Sequence, residues 1–151
     1  MARMIDISRK RTVRRSAIAE GSLELKTSTL KAIKANGVKK GDVISASKLA
    51  AIQATKETSS ILPLCHQIPL TSVEVDVSVV GDRLVARCTV TADYKTGVEM
   101  EALVGVSVAL LNAWDMVKYM EKDAEGQYPR TRISGVRVIS KKKGGRRNGG
   151  R

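Results

Sequence analysis

The sequence predicts an α+β fold, an antiparallel sheet covered by helices, and three features carry that expectation. Val73, Val75, Val77 and Val79 alternate with Glu74, Asp76 and Ser78, the period-2 pattern of a strand with one buried face. Gly81-Asp82 signals a turn, and alternation resumes from Arg83 to Thr91, so the two runs read as a hairpin. From Gly97 to Lys122 the chain reads as one apolar helix of about 26 residues, roughly 39 Å long.

The other elements follow in order. Ser16 to Lys26 alternates in part and predicts a strand. Ser28 to Ala35 predicts a short helix stopped by Asn36-Gly37. Lys39-Lys40-Gly41-Asp42 is a turn, and a second helix runs from about Ser45, through Leu49, Ala50, Ile52 and Gln53, to about Thr58. Pro69 opens the hairpin. A last strand, about Thr131 to Ser140, places Ile133, Val136, Val138 and Ile139 in imperfect alternation. The order β-α-α-β-β-α-β resembles a ferredoxin-like arrangement with an extra helix. No repeat or internal linker interrupts it. Residues 16–141 are expected to form one catalytic domain, between a basic N-terminal segment, 1–15, and a flexible basic tail, 142–151.

The long helix predicts more than its own length. Leu103, Val104, Val106, Val108, Leu110, Leu111, Trp114, Val117 and Met120 go most of the way round it, while Gly105, Ser107 and Ala109 allow close approach. A helix apolar on nearly every side must be covered on nearly every side. One sheet covers one face, so a second copy is expected on the other.

Composition removes several classes. The 42% of apolar residues suffices for a core, which must be aliphatic because Phe is absent and aromatics are 3%. No segment reads as a signal peptide, and the uncharged run from Ala102 to Trp114 is shorter than the ~20 residues that span a bilayer. A cytoplasmic protein is expected. Cys65 and Cys88 make no disulfide framework, and His66 is the single histidine, so no metal-ligand spacing exists and no cofactor is called for.

The formal charge of +12 suggests nucleic acid, but its distribution argues otherwise. Residues 1–15 carry +5, residues 141–151 carry +6, and the body between them carries +1. Few aromatics also leave few stacking platforms for single strands. A nucleic-acid module is therefore the rival reading, and a scaffold that only oligomerises is a third.

Lys95-Thr96-Gly97-Val98-Glu99-Met100-Glu101 places two carboxylates where a glycine-bearing turn enters the apolar helix. Thr96 and Glu99 fit a capping box, which is one explanation of Glu99; chemistry is the other. Glu101 lies in the first turn, where the helix dipole favours acids, yet directly precedes the apolar run. Asp115 and Lys118 stand at i, i+3, either as a surface ion pair or as an acid held beside a cation for proton transfer. Glu101 and Asp115 lie about 21 Å apart along one helix, so only an antiparallel neighbour could bring both to one small substrate. His66, flanked by Cys65, is either a structural histidine or the one group whose ordinary titration falls near neutrality. Arg14, Arg15, Lys40 and Lys141 lie at segment edges. With His66 and the carboxylates they would suit a phosphorylated substrate undergoing proton transfers.

These pieces resemble a known family. Met4-Ile5-Asp6-Ile7-Ser8, Thr12-Val13-Arg14, Lys40-Gly41-Asp42-Val43, Ile61-Leu62-Pro63-Leu64-Cys65-His66, the Lys95 to Leu103 segment and Asp115-Met116-Val117-Lys118 are similar to the MoaC family, the cyclic pyranopterin monophosphate synthases of molybdenum cofactor biosynthesis. The resemblance spans about residues 4 to 145. It implies a ferredoxin-like subunit assembled as a hexamer of three dimers, with sites between subunits. It implies conversion of (8S)-3′,8-cyclo-7,8-dihydroguanosine 5′-triphosphate to cyclic pyranopterin monophosphate and diphosphate. By position it implies Asp115, Lys118 and Lys40 as catalytic groups. Leu64, Cys65, His66, Met100, Glu101 and Glu99 would line the substrate pocket, and Arg14 and Lys141 would meet phosphates. Gln67 stands where the family usually has Pro, and Asn112-Ala113-Trp114 departs from the common pattern before Asp115.

Overall fold

The computed structural model describes residues 1–144. Four strands, β1 (Val13–Glu24), β2 (Ser72–Val80), β3 (Arg83–Tyr94) and β4 (Arg132–Lys143), alternate with helices α1 (Thr27–Lys34), α2 (Val43–Lys56), α3 (Thr58–Ile61) and α4 (Glu99–Glu121). The strands form one sheet in the order β2-β3-β1-β4, every neighbour antiparallel. The architecture is α+β, as the alternation and the helical run predicted.

One face of the sheet carries the core. Ala17, Ala19 and Leu23 of β1 and Ala86, Cys88 and Val90 of β3 are fully buried. Val73, Val75, Val77 and Val79 point to that face, paired with or packed beside them. Small side chains there let α4 lie close. A Cβ on Gly105 would stand 2.8 Å from Thr55 Cγ2 and 2.9 Å from Cys88 Sγ, so this glycine is where α4 nests between α2 and the sheet. The other face is polar: Arg87 pairs with Glu20 at 2.8 Å, and Arg83 with Glu24 at 3.5 Å.

Local chemistry refines several sequence-based boundaries. α2 starts at Val43, earlier than expected, because Asp42 caps it: Oδ1 accepts the Ser45 N–H at 3.0 Å. Asn36, at φ 53°, ends α1 in the left-handed region that Asn tolerates. The helix expected to end near Thr58 instead breaks at Glu57 and restarts as the single turn α3. β1 begins at Val13 and β4 extends to Lys143, so Arg14, Arg15, Lys142 and Lys143 belong to paired strands. The rest of the expected tail, 145–151, lies outside the described residues. The imperfect alternation of β4 has a cause: its register with β1 shifts twice, and Gly135 in one shift has φ 65°.

Two corrections concern α4. It spans 23 residues and begins at Glu99, with Val98 at the cap position and no side-chain cap, so Thr96 and Glu99 do not form a capping box. By length and composition α4 is also apolar enough to cross a membrane, against the reading of its sequence; half of that stretch is buried in this fold as a core helix.

The helix is not covered all round. Leu111 is 56% exposed, Val104 and Val108 are half-buried, and Leu49 on α2 is 68% exposed. Glu121, at the other extreme, is fully buried at the end of α4. It accepts the Lys26 N–H at 3.2 Å and the Thr131 hydroxyl at 2.8 Å, and also takes the Thr29 hydroxyl. It thereby caps α1, which has no cap of its own, and ties it to the start of β4.

Candidate active site

Two groups of charged side chains lie at opposite ends of α4. Near its C-terminal end, Asp115 is held between two cations: Lys40 Nζ is 2.9 Å from Oδ2 and Lys118 Nζ is 3.1 Å from Oδ1. Lys40 arrives from the loop between α1 and α2, and also reaches the Asp115 carbonyl at 3.3 Å. Tyr119, one helical turn beyond Asp115, fixes that loop. Its hydroxyl accepts the Lys39 N–H at 2.9 Å, and its ring lies 5.4 Å from Lys39 Nζ. The hydrogen bonds from Lys40 and then Lys118 hold the Asp115 carboxyl below the usual carboxylate range. Near neutral pH it is an anion clamped between two cations.

The second group lines a cavity of about 270 Å³ at the N-terminal end of α4. Ile5 and Lys10 from the N-terminal segment, Leu64, Cys65 and His66 from the loop before β2, and Glu99, Met100 and Glu101 meet there. His66 Nε2 is 2.7 Å from the Ile5 carbonyl. A carbonyl only accepts, so Nε2 carries a proton and donates it to Ile5. The contact also explains how the N-terminal segment closes one side of the cavity.

The two glutamates of the opening motif have separate fates. Glu99 folds back over Gly97, where a Cβ would lie 2.5 Å from both carboxylate oxygens, so glycine makes room for it. It pairs with Lys141 of β4 at 3.0 Å. Glu101 is only 4% exposed, and its Oε2 is buried with no hydrogen-bond partner. Burial, and then the Glu99 charge, raise its pKa to about 7, while a backbone hydrogen bond opposes the rise. It can therefore hold or release a proton near neutrality. Burial, and then the charge of Glu101, raise the Cys65 thiol, which favours the neutral form over a thiolate nucleophile.

The residues singled out in the sequence thus divide. Asp115, Lys40 and Lys118 meet at one end; Leu64, Cys65, His66, Met100, Glu101 and Glu99 meet at the other, with Lys141 on Glu99. Arg14 joins neither. Lys141 pairs with Ala17, on the helix-covered face of β1, and Arg14 projects from the opposite face. Lys10 and Tyr119 were missed in the sequence. Lys10 lies in a basic run with nothing to mark it, and the role of Tyr119 depends on a backbone N–H 80 residues away.

The fold and these two groups define a class: a small α+β protein carrying acid–base groups and cations at both ends of one long helix. The chain belongs to the MoaC family, whose model matches residues 4–144. It is 53% identical to the probable cyclic pyranopterin monophosphate synthase of Thermococcus kodakarensis, across 94% of this chain and 91% of that protein. It is 54% identical to the protein of the same description from Sulfolobus acidocaldarius, across 91% of this chain and 96% of that one. It is also 53% identical to a probable cyclic pyranopterin monophosphate synthase accessory protein of Methanothermobacter thermautotrophicus, across 93% and 89%.

Proposed function

We propose that this chain is a cyclic pyranopterin monophosphate synthase of molybdenum cofactor biosynthesis, a lyase. It converts (8S)-3′,8-cyclo-7,8-dihydroguanosine 5′-triphosphate to cyclic pyranopterin monophosphate and diphosphate. The observation that carries the mechanism is an ionised Asp115 between two lysines at one end of a helix whose other end carries Glu101, buried and with no partner for Oε2.

The reaction opens one ring, closes another and forms a cyclic phosphate. In the last change a substrate hydroxyl attacks the α-phosphorus, its proton goes to a base, and the bond to the β-phosphate breaks. Asp115, a carboxylate fixed in place by two lysines, is the base assigned to that proton. Lys40 and Lys118 beside it stabilise negative charge that builds on the phosphates. Glu101 and His66 face the heterocycle, and Glu101 can hold or release a proton near neutrality during ring opening and closure. Leu64, Cys65 and Met100 complete the pocket wall, and Glu99 orients Lys141.

The helix length supports an assembly of several copies. Asp115 and Glu101 of one copy are about 21 Å apart, too far to share a substrate. The outward apolar strip of Val104, Val108 and Leu111 with Leu49 supports a second copy packed against α4. We read the sheet order as ferredoxin-like, the assembly as a hexamer of three dimers, and the compartment as the cytoplasm. Residues 16–141 are the catalytic domain in this reading. The direct test is diphosphate release from the cyclised nucleotide by purified protein. Folded protein that releases none refutes the assignment.

A further inference from the structure

Glu101 has a second side. A cavity of about 390 Å³ lies where α2 breaks at Glu57 and restarts as α3. Thr55, Thr58 and Ser60 line it from the helices, and Gln67 lines it from the loop before β2. Among the described residues His66, Ile68 and Glu101 line both this cavity and the pocket of Leu64 and Met100, so they form the partition between the two. Helix geometry explains the placement. Gly105 is one turn on from Glu101, on the same face of α4, and a Cβ there would stand 2.8 Å from Thr55 Cγ2. Glu101 therefore faces the end of α2.

Glu101 is 4% exposed, and its Oε2 has no hydrogen-bond partner among the described residues. A buried carboxyl oxygen is costly unless water or a ligand serves it. The cavity offers what ordered water needs, room and several polar partners. Thr55 spends its hydroxyl proton on the Ile52 carbonyl at 2.7 Å, and Thr58 donates to the Thr55 carbonyl at 3.0 Å. Both oxygens keep lone pairs with which to accept from water. Ser60 is exposed and stands at the mouth. Lys56 and Glu57 are the charged groups on this side of the partition; Lys10, Glu99 and the Cys65 thiol lie on the other.

We propose that this cavity is the solvent side of the acid–base site: a file of water held by Thr55, Thr58 and Ser60 carries protons between Glu101 and bulk solvent while substrate fills the pocket on the other side. When Glu101 takes a proton from the substrate, the carboxyl passes it to the nearest water. That water passes one of its own outward, and Glu101 is left ionised for the next transfer. Reprotonation runs the same file in reverse, and nothing is oxidised or reduced. Without the route, a carboxyl walled in by substrate could reset only after product left. The part Glu101 plays in turnover rests on the function proposed above; the water route stands on the two cavities.

The route is tested without substrate by infrared spectroscopy of the full chain on transfer to D2O. The signal is the carboxylic C=O band of Glu101, assigned by its loss in Glu101→Gln and recorded below the pKa of about 7. Met100→Trp fills the substrate-side pocket and should leave exchange fast, because protons still pass on the other side. Adding Ser60→Trp should slow exchange at least about tenfold, a barrier higher by about 1.4 kcal/mol. Ser60 is exposed, so its replacement keeps the fold even if Thr58→Val, which removes the inner oxygen, disturbs it. In diphosphate-release kinetics Ser60→Trp alone should lower kcat by about three- to tenfold with KM unchanged and a larger solvent deuterium isotope effect, a signature that a merely structural role would not give. Equally fast exchange in the folded Met100→Trp, Ser60→Trp protein, or a kcat and isotope effect that ignore Ser60→Trp, overturns the proposal. Exchange that depends on Ser60 in a protein that releases no diphosphate keeps the route and refutes the reaction.

Discussion

Lys40 crosses from the loop between α1 and α2 to place Nζ 2.9 Å from Asp115 Oδ2, so a charge on a loop depends for its position on one helical carboxylate. Lys118 holds the other oxygen at 3.1 Å. Asp115→Asn leaves the geometry nearly intact and removes the anion. Diphosphate release should fall by about 10²–10⁴-fold, the usual contribution of a positioned acid or base. Both partners are largely exposed, so the thermal midpoint should barely move. Steady-state kinetics and a melting curve on the same preparation check both halves.

Tyr119 should matter to turnover without touching substrate. Tyr119→Phe keeps the ring and removes the acceptor of the Lys39 N–H, loosening the loop that carries Lys40. Turnover should drop by about three- to tenfold while folding stability changes by less than about 1 kcal/mol. Combining it with Lys40→Ala should add nothing further, because the tyrosine acts through that lysine.

The pH dependence of stability should report Glu101. Burial lifts its pKa from 4.5 to about 7, so between those values the folded chain keeps a proton that the unfolded chain has lost. The stability this contributes is fully present below about pH 4.5 and is lost as pH rises through about 7. Glu101→Gln removes the dependence. Urea unfolding near pH 8 should show the variant more stable than wild type by on the order of 1–3 kcal/mol, with the gap closing near pH 4.5.

Much of this was legible in the sequence, and the exceptions have physical causes. The hairpin and α4 declared themselves because Val73 to Val79 alternate cleanly and because the apolar run is long. Cys65, His66 and Glu101 could be named because few titratable groups sit in so apolar a setting. The capping box was misread because a Thr-x-x-Glu pattern cannot say that Lys141, 42 residues further on, will take the glutamate. Arg14 was singled out by resemblance alone, and only the register of β1 put it on the face opposite Lys141. Glu121 drew no notice, since an acid at a helix end is ordinary until its donors, Lys26, Thr29 and Thr131, fold around it.

Glu121 gives a stability prediction. Glu121→Ala leaves the Lys26 N–H and two threonine hydroxyls without their acceptor in a buried place. Each orphaned donor costs about 1–3 kcal/mol, so a loss of about 3 kcal/mol or more in chemical denaturation is expected. Gly105→Ala should be damaging for a different reason, since its new Cβ would press on Thr55 and Cys88, and overpacking of this kind costs about 1–3 kcal/mol.

The proposed working site takes Glu101 from one copy and Asp115 from another. Subunit mixing tests it most directly. Asp115→Asn and Glu101→Gln proteins, each of low activity alone, are unfolded, combined in equal amounts and refolded together. Random pairing should regenerate intact sites in about a quarter of positions, so diphosphate release should recover to about that fraction of wild type. Activity no greater than the average of the two variants, in a mixture shown to have exchanged subunits, would contradict a shared site.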